Sequence, residues 1–184
     1  MKVVYLMRFW PVYGGGETVT RILVNELASR SNDVTIIYLW DRNNQTTPYL
    51  NENIKTVKLN GITNLNDGDI GTRDKSNIRK QLTTIFEKEN FDIIVNQWLP
   101  SREVYKAAQN TGSKVIKCHH GVVKYVPIVN TLKQKIFYGI FGEKGGWLRV
   151  YWQRKQDYDN CDKWVFLSNS FVEDAKKLLG KIDE

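Results

Sequence analysis

Residues 2–7 read KVVYLM and residues 33–40 read DVTIIYLW, two apolar runs that frame the first part of the chain. Both runs are rich in branched and aromatic side chains, which fit a strand that is covered on both faces. Residues 17–30, between them, carry apolar side chains at helical spacing. The predicted inward face of this helix consists of Val19, Ile22, Leu23, Leu27 and Ala28. The order strand, helix, strand predicts a βαβ unit.

The same alternation continues along the rest of the chain. Further strands are predicted at 54–59, 92–96, 114–118 and 163–167. Further helices are predicted at 73–89, from residue 101 onward, and at 170–180. Repeated units of this kind predict an α/β fold, namely a Rossmann-like, three-layer domain in which helices cover both faces of a mostly parallel sheet.

Small and polar residues are predicted to mark three helix ends. Ser101 follows Pro100 and can cap the helix that begins there. Ser170 and Glu173 have the spacing of a capping box, in which each side chain binds the backbone N–H of the other residue. Gly180 stands where a glycine commonly ends a helix. The last strand is therefore expected to be followed by one more helix.

The composition is that of an ordinary globular protein. The 184 residues are 41% hydrophobic and 26% charged, which excludes collagen-like, disordered and disulfide-scaffold classes. A chain of this length is expected to form one domain, spanning residues 1–184. Cys118 and Cys161 lie far apart and lack the spacing of zinc ligands, so we expect two reduced thiols.

The N-terminal sequence carries no signal for secretion or membrane insertion. The apolar run after Lys2 is interrupted by Arg8 and is too short for a signal peptide or a membrane span. A cytoplasmic location is therefore predicted. The sequon-like Asn44-Gln45-Thr46 is then not expected to be glycosylated, because that modification requires secretion.

The loops after three predicted strands carry the residues that could bind a ligand. In an open parallel sheet, ligands bind beyond the carboxyl ends of the strands, where helix N-termini favour anions. The candidates are Gly14-Gly15-Gly16-Glu17 after the first strand, Gln97 and Trp98 after the fourth, and His119, His120 and Gly121 after the fifth. The glycines match neither the GxGxxG nor the GxxxxGK[ST] pattern. Adjacent residues of an extended segment point to opposite faces, so one histidine is expected to reach the cleft.

A basic, aromatic segment extends from Lys133 to Lys155. Its cations could meet lipid phosphates while its aromatic rings lie at the headgroup level, and Gly145-Gly146 would separate two short helices. The predicted membrane contacts are Lys133, Lys135, Arg149 and Trp152. Packing of the aromatic side chains on the core is an equal alternative. Nucleic acid is not an expected partner, because no recognised nucleic-acid module accompanies the segment.

Five sequence features together carry a family resemblance. They are the first strand, the Gly14-Gly15-Gly16-Glu17 loop with its helix, the DVTIIYL strand, His120-Gly121, and Phe166-Leu167-Ser168. With them the chain resembles, over almost its whole length, the N-terminal domain of family 4 retaining glycosyltransferases, in which two Rossmann-like domains face each other across a cleft. The family often has Gly-His before the second strand, where this chain has Ser31-Asn32-Asp33. That departure touches no predicted site residue.

The resemblance implies a transferase that uses a nucleotide-sugar donor and a glycan or lipid-linked acceptor. Gly15 and Gly16 would approach the donor diphosphate or the acceptor through their backbone N–H groups. His120 would be the catalytic residue and would contact the transferred sugar, and Glu17 would anchor the helix start. The remaining predicted substrate contacts are Trp98, His119 and Gly121. The donor would be held mainly by a C-terminal domain outside this chain, so the chain alone is expected to be inactive.

The resemblance also implies a mechanism and a setting. Retention would proceed by front-face transfer, in which the leaving phosphate helps to deprotonate the acceptor hydroxyl, and the product would be a cell-surface glycan built at the inner membrane face. Asp67-Gly68-Asp69 resembles the DxD motif of a different, metal-dependent glycosyltransferase fold, but it lies in a polar loop away from the proposed edge. No metal or other cofactor is predicted. A non-catalytic α/β module that binds membrane or nucleic acid through the basic, aromatic segment remains the alternative.

Overall fold

A computed structural model describes residues 1–12, 14–41, 49–63, 70–121, 123 and 132–180 of the chain. The strands are β1 (Lys2–Phe9), β2 (Asp33–Trp40), β3 (Lys55–Lys58), β4 (Ile93–Asn96), β5 (Lys114–His119) and β6 (Lys163–Phe166). The helices are α1 (Gly15–Ser29), α2 (Thr72–Glu89), α3 (Ser101–Ala108), α4 (Leu132–Asp159) and α5 (Asn169–Leu179). Every strand predicted from the sequence is present within two residues of its expected ends.

The six strands form a single sheet in the order β3-β2-β1-β4-β5-β6. Every neighbouring pair is parallel, so the described sheet is fully parallel rather than mostly so. The predicted α/β, Rossmann-like fold is confirmed. The strand order reverses between β1 and β4, and this reversal opens a crevice beyond the carboxyl ends of these two strands.

Two apolar layers cover the sheet, because successive side chains of β1 alternate between its faces. Val4 and Leu6 belong to the larger cluster, which packs under α2 and α3. Val3, Tyr5 and Met7 belong to the second cluster, which packs under α1. A third, smaller cluster joins β6 to α5. The helices thus lie on both faces, as the three-layer prediction requires.

The predicted inward face of α1 is partly wrong. Val19, Ile22 and Leu23 are 41%, 56% and 44% exposed. The residues that the helix buries are Thr20, Val24 and Ala28, at a regular spacing of four. Thr20 is one of the three buried residues of the helix. A prediction that assigns only apolar residues to the buried face therefore misses it and selects residues that face solvent.

Two of the three predicted helix ends are also wrong. Pro100, not Ser101, occupies the N-cap of α3, and the Ser101 hydroxyl donates a hydrogen bond to Asp157 of α4 instead. Ser168 occupies the N-cap of α5 without a side-chain cap, so the predicted capping box does not form. Gly180 does end α5: its φ is 87° and its N–H donates to the Lys176 carbonyl at 2.9 Å.

The long helix α4 is broken at a different glycine from the one predicted. Gly142 has φ 55° and ψ −145°, which divides α4 into two helical parts, whereas the predicted break at Gly145-Gly146 lies inside the second part. A positive φ strains any residue with a Cβ, so glycine fits this position. No helix in the described ranges is long and apolar enough to cross a membrane. The Asn44-Gln45-Thr46 and Asp67-Gly68-Asp69 segments lie outside the described residues.

Candidate functional site

A cavity of about 1010 Å³ opens at the carboxyl edge of the sheet, beside the point where the strand order reverses. Its walls come from the loops after β1, β4 and β5, from the start of α3 and from one face of α4. All seven residues predicted to bind or transform substrate line it, namely Gly15, Gly16, Glu17, Trp98, His119, His120 and Gly121. The structure therefore brings together residues that are more than one hundred positions apart in the sequence.

Two glycines at the start of α1, Gly14 and Gly16, lie too close to neighbouring side chains to carry a Cβ. A Cβ on Gly16 would lie 2.1 Å from Cη2 of the Trp98 indole, and a Cβ on Gly14 would lie 2.2 Å from Oε2 of Glu17. Gly16 therefore makes room for Trp98, while Glu17 folds back over the N-cap of its own helix. Gly15 is exposed, and a Cβ there would meet no atom within 4 Å. The glycine that packing leaves free for a ligand is thus Gly15.

The first turn of α1 presents unused backbone donors to the cavity. The first helical hydrogen bond runs from the N–H of Thr18 to the carbonyl of Gly14, at 2.9 Å. The N–H groups of Gly15, Gly16 and Glu17 precede it and have no acceptor within the helix. Together with the helix dipole they favour an anion or a hydroxyl oxygen.

Asn96 shapes the loop that holds the next wall. Its side-chain amide donates to the carbonyl of Leu99 at 3.1 Å and accepts from the N–H of Leu99 at 2.9 Å. The N–H of Gln97 donates to the carbonyl of Leu6 at 3.1 Å, which continues the β1 pairing by one residue. This closed turn fixes Gln97 and Trp98 between α1 and β5.

Trp98 and His120 form a stacked pair at the centre of the cavity wall. Their ring centroids lie 4.8 Å apart with an interplanar angle of 27°. Nε2 of His120 is hydrogen-bonded to Oε1 of Gln97. An amide oxygen can only accept, so a hydrogen bond to this atom assigns the proton to Nε2 and the acceptor role to Nδ1. Burial, aided by the charge of Lys117, lowers the pKa of His120, so the ring is neutral at pH 7.

His119 has a different environment from its neighbour. It is 8% exposed, and its ring packs edge-on against Trp164 and Phe166 at centroid distances of 5.9 Å. Its Nε2 has no hydrogen-bond partner in the described structure. Burial, followed by the charge of Arg154, lowers the pKa of His119 to about 4. Both histidines line the cavity, so the expectation that one alone would reach it is wrong.

A buried polar cluster of Lys117, Arg154 and Asp157 forms the floor of the cavity. The sequence did not predict it. Lys117 is 6% exposed and donates from Nζ to the carbonyl of Gln97 at 3.2 Å. Arg154 donates from Nε to the carbonyl of Val123 at 3.2 Å and lies 3.6 Å from a carboxylate oxygen of Asp157. A lysine inside a short strand is normally expected to be solvated, and the sequence gives no sign that α4 covers this one.

The four residues predicted to contact membrane divide between two locations. Arg149 and Trp152 line the cavity, and Trp152 is also 55% exposed. Lys133 and Lys135 lie on the first part of α4, where their side chains are outside the described structure. Membrane contact by these four residues stays a prediction.

The fold defines the chain as a Rossmann-like α/β domain with a cavity at the sheet reversal. Residues 13–184 match the family model described as Glycosyltransferase Family 4. The chain therefore belongs to Glycosyltransferase Family 4. No curated protein matches it by sequence.

Three solved structures with this fold share 12–15% sequence identity with the chain. Sucrose-phosphate synthase from Thermosynechococcus elongatus superposes with a TM-score of 0.67 at 15% identity, covering 97% of this chain and 45% of that one. A putative UDP-N-acetylglucosamine 2-epimerase from Listeria monocytogenes gives 0.56 at 14% identity, with 98% and 43% covered. A UGT transferase from Siraitia grosvenorii, solved with UDP, gives 0.53 at 12% identity, with 95% and 48% covered. The chain thus spans less than half the length of each of these proteins.

Proposed function

We propose that residues 1–184 are the N-terminal, acceptor-binding half of a retaining glycosyltransferase that uses a nucleotide-sugar donor. The observation that carries the proposal is the convergence of Gly15, Trp98 and His120 on one open cavity at the sheet reversal. Family membership supports the reaction class. This chain covers less than half of each of the three similar structures, and this supports a second domain as the opposite wall of the cleft.

In this proposal the cavity positions the acceptor. The Trp98–His120 pair offers an aromatic surface, and Nδ1 of neutral His120 accepts a hydrogen bond from a sugar hydroxyl. The N–H groups at the start of α1 face the developing charge on the donor phosphate or hold an acceptor oxygen. Orientation of the two substrates would supply much of the rate enhancement.

The acidic residues of the cavity favour front-face transfer over a covalent intermediate. Glu17 folds over Gly14, Glu103 lies 3.4 Å from Arg79, and Asp157 binds Ser101 and Arg154. Glu103 and Asp157, two of the three carboxylates that line the described cavity, are thus engaged by neighbouring side chains. In the proposed front-face transfer the leaving phosphate accepts the hydroxyl proton.

The exposed surface of α4 suits contact with a membrane. The described side chains of α4 include five large apolar groups that are exposed, namely Ile136, Ile140, Trp147, Leu148 and Trp152. Such groups beside cations fit the headgroup layer of an anionic membrane. Docking at the cytoplasmic face of the inner membrane would bring a lipid-linked acceptor to the cavity, which Trp152 also lines.

The test is donor turnover by the full-length protein that contains this chain. Nucleotide sugars are supplied with membrane glycolipid extract, and release of nucleotide and the anomeric configuration of the product are measured. We expect acceptor-dependent release and a product with the anomeric configuration of the donor. An inverted product would contradict retention. Absence of turnover with every nucleotide sugar, together with tight binding to vesicles or oligonucleotides, would favour the non-catalytic alternative.

A further inference from the structure

The cavity lining is strongly cationic. Six of its side chains are basic and three are acidic. The basic residues are Arg8, Lys75, Arg102, Lys117, Arg149 and Arg154. Of the three acidic residues, Glu103 pairs with Arg79, which does not line the cavity. A neutral sugar alone does not need such a lining.

Two of these cations are held in the floor rather than at the rim. Lys117 is 6% exposed, and the Arg154 side chain is 11% exposed. A buried charge is costly unless it is paired and fully hydrogen-bonded. Asp157 is the carboxylate near both of them, and it also accepts the Ser101 hydrogen bond. Two buried cations therefore share one carboxylate.

The Lys117 ammonium has hydrogen-bonding capacity to spare. An ammonium carries three donors, and the described structure gives Nζ of Lys117 one acceptor, the Gln97 carbonyl at 3.2 Å. Burial lowers the pKa of Lys117, and the charge of Asp157 opposes that shift. An oxyanion in the cavity would supply both the missing acceptors and the missing negative charge. Lys117 is thus a second indication of an anionic ligand, independent of the number of cations.

We propose that the acceptor carries an oxyanion, a phosphate or a carboxylate, which binds Lys117 and Arg154 on the cavity floor. This inference rests on the proposed function, because it names the chemical class of the acceptor for that same site. The start of α3 lies beside this floor, and its residues Ser101 and Arg102 line the cavity. The oxyanion belongs to the acceptor and not to the donor diphosphate.

Binding of small probes to the full-length protein tests the proposal by calorimetry. The probes are glycerol 3-phosphate, glucuronate, neutral glucose and UDP. We expect glycerol 3-phosphate or glucuronate to bind about tenfold or more tightly than glucose, and to weaken when salt is raised. Preference for glycerol 3-phosphate identifies a phosphate and preference for glucuronate identifies a carboxylate. Equal binding of glucose, or displacement of the acidic probe by UDP, would overturn the proposal.

Matched variants locate the binding site. Lys117→Met removes the ammonium at similar volume and is expected to weaken the acidic probe about tenfold. Lys155→Gln is the control, because Lys155 lies on α4 next to Arg154, pairs with Asp159 at 2.8 Å and does not line the cavity. Unchanged affinity in Lys117→Met would refute the assignment.

A third variant keeps the test possible if Lys117→Met does not fold. If thermal unfolding shows that Lys117→Met is not folded, Arg149→Gln replaces it, since Arg149 is a half-buried cavity residue. It is expected to weaken the acidic probe severalfold, and an unchanged affinity would count against the proposal. Donor turnover without preference for acidic acceptors would defeat this inference alone. Binding of acidic probes without any donor turnover would defeat the proposed function alone.

Discussion

The indole of Trp98 lies directly against Gly16, where a Cβ would be 2.1 Å from Cη2 and 2.7 Å from Cζ2 of the ring. The indole also stacks on the His120 ring, with the two ring centroids 4.8 Å apart. The loop after β1, the loop after β4 and the end of β5 thus meet through one side chain. The position of His120 in the cavity depends on the absence of a side chain at Gly16.

Gly16→Ala should displace Trp98 and destabilise the fold. A ring held between two loops cannot move as the end of a flexible side chain can, so we expect a loss of about 1–3 kcal/mol in the free energy of unfolding. Gly15→Ala is the matched control, because its Cβ would meet nothing within 4 Å and alanine is the better helix former. Denaturant unfolding of both variants checks this, and equal stabilities would contradict the packing role of Gly16.

His119 should make stability fall in mild acid. Its pKa is about 4 in the folded chain, against an ordinary value of 6.5, because of burial and the nearby charges of Arg154 and Lys117, partly offset by Asp157. Between those two values the unfolded chain binds the extra proton, so stability rises with pH there and is lost as the pH falls from 6.5 toward 4. We expect this histidine to contribute about 1–3 kcal/mol to that loss.

The His119→Phe variant isolates that contribution. Phenylalanine keeps a ring against Trp164 and Phe166 and removes a buried nitrogen that lacks a partner in the described structure. Its free energy of unfolding, measured from pH 7 to pH 4, should fall less steeply than that of the wild type. Parallel pH profiles for the two proteins would show that this ring does not titrate as the burial implies.

Ile140→Asp should weaken binding to anionic vesicles. Ile140 is 69% exposed on α4, so the change leaves the core intact while it removes apolar area and adds a negative charge. We expect about tenfold weaker binding to phosphatidylglycerol vesicles, measured by sedimentation. Ile22→Asp, at a similarly exposed position on α1, is the control. An equal loss in both variants, or none in either, would mean that α4 is not the membrane-binding surface.

The strands could be predicted from the sequence, because buried parallel strands are continuous apolar runs. The sheet edge at which the cavity lies could be predicted from the order of these strands. The buried face of α1 could not, since Thr20 occupies a core position that apolar spacing does not reveal. Ser101 satisfies Asp157 of α4 instead of its own helix, a tertiary contact that local capping rules do not contain.

The environments of Lys117 and Gly16 depend on tertiary contacts that the sequence does not reveal. Lys117 is buried near Arg154 and Asp157 of α4, the segment whose packing the sequence leaves open. Gly16 was predicted as a point of close approach for a ligand, which stays a prediction, and the structure shows that the absence of a side chain there also makes room for Trp98. Residue types at the edge were predictable, but their partners across the cavity were not.

Acceptor kinetics of the full-length protein with His120→Ala measure whether the Trp98–His120 pair positions the acceptor. The variant is compared with Thr84→Ala, an exposed α2 position whose hydroxyl bonds its own helix at Lys80 and does not line the cavity. We predict a kcat/KM for acceptor about tenfold or more below wild type for His120→Ala, with an intact fold, and wild-type kinetics for Thr84→Ala. Wild-type acceptor kinetics in His120→Ala would show that this pair does not position the acceptor.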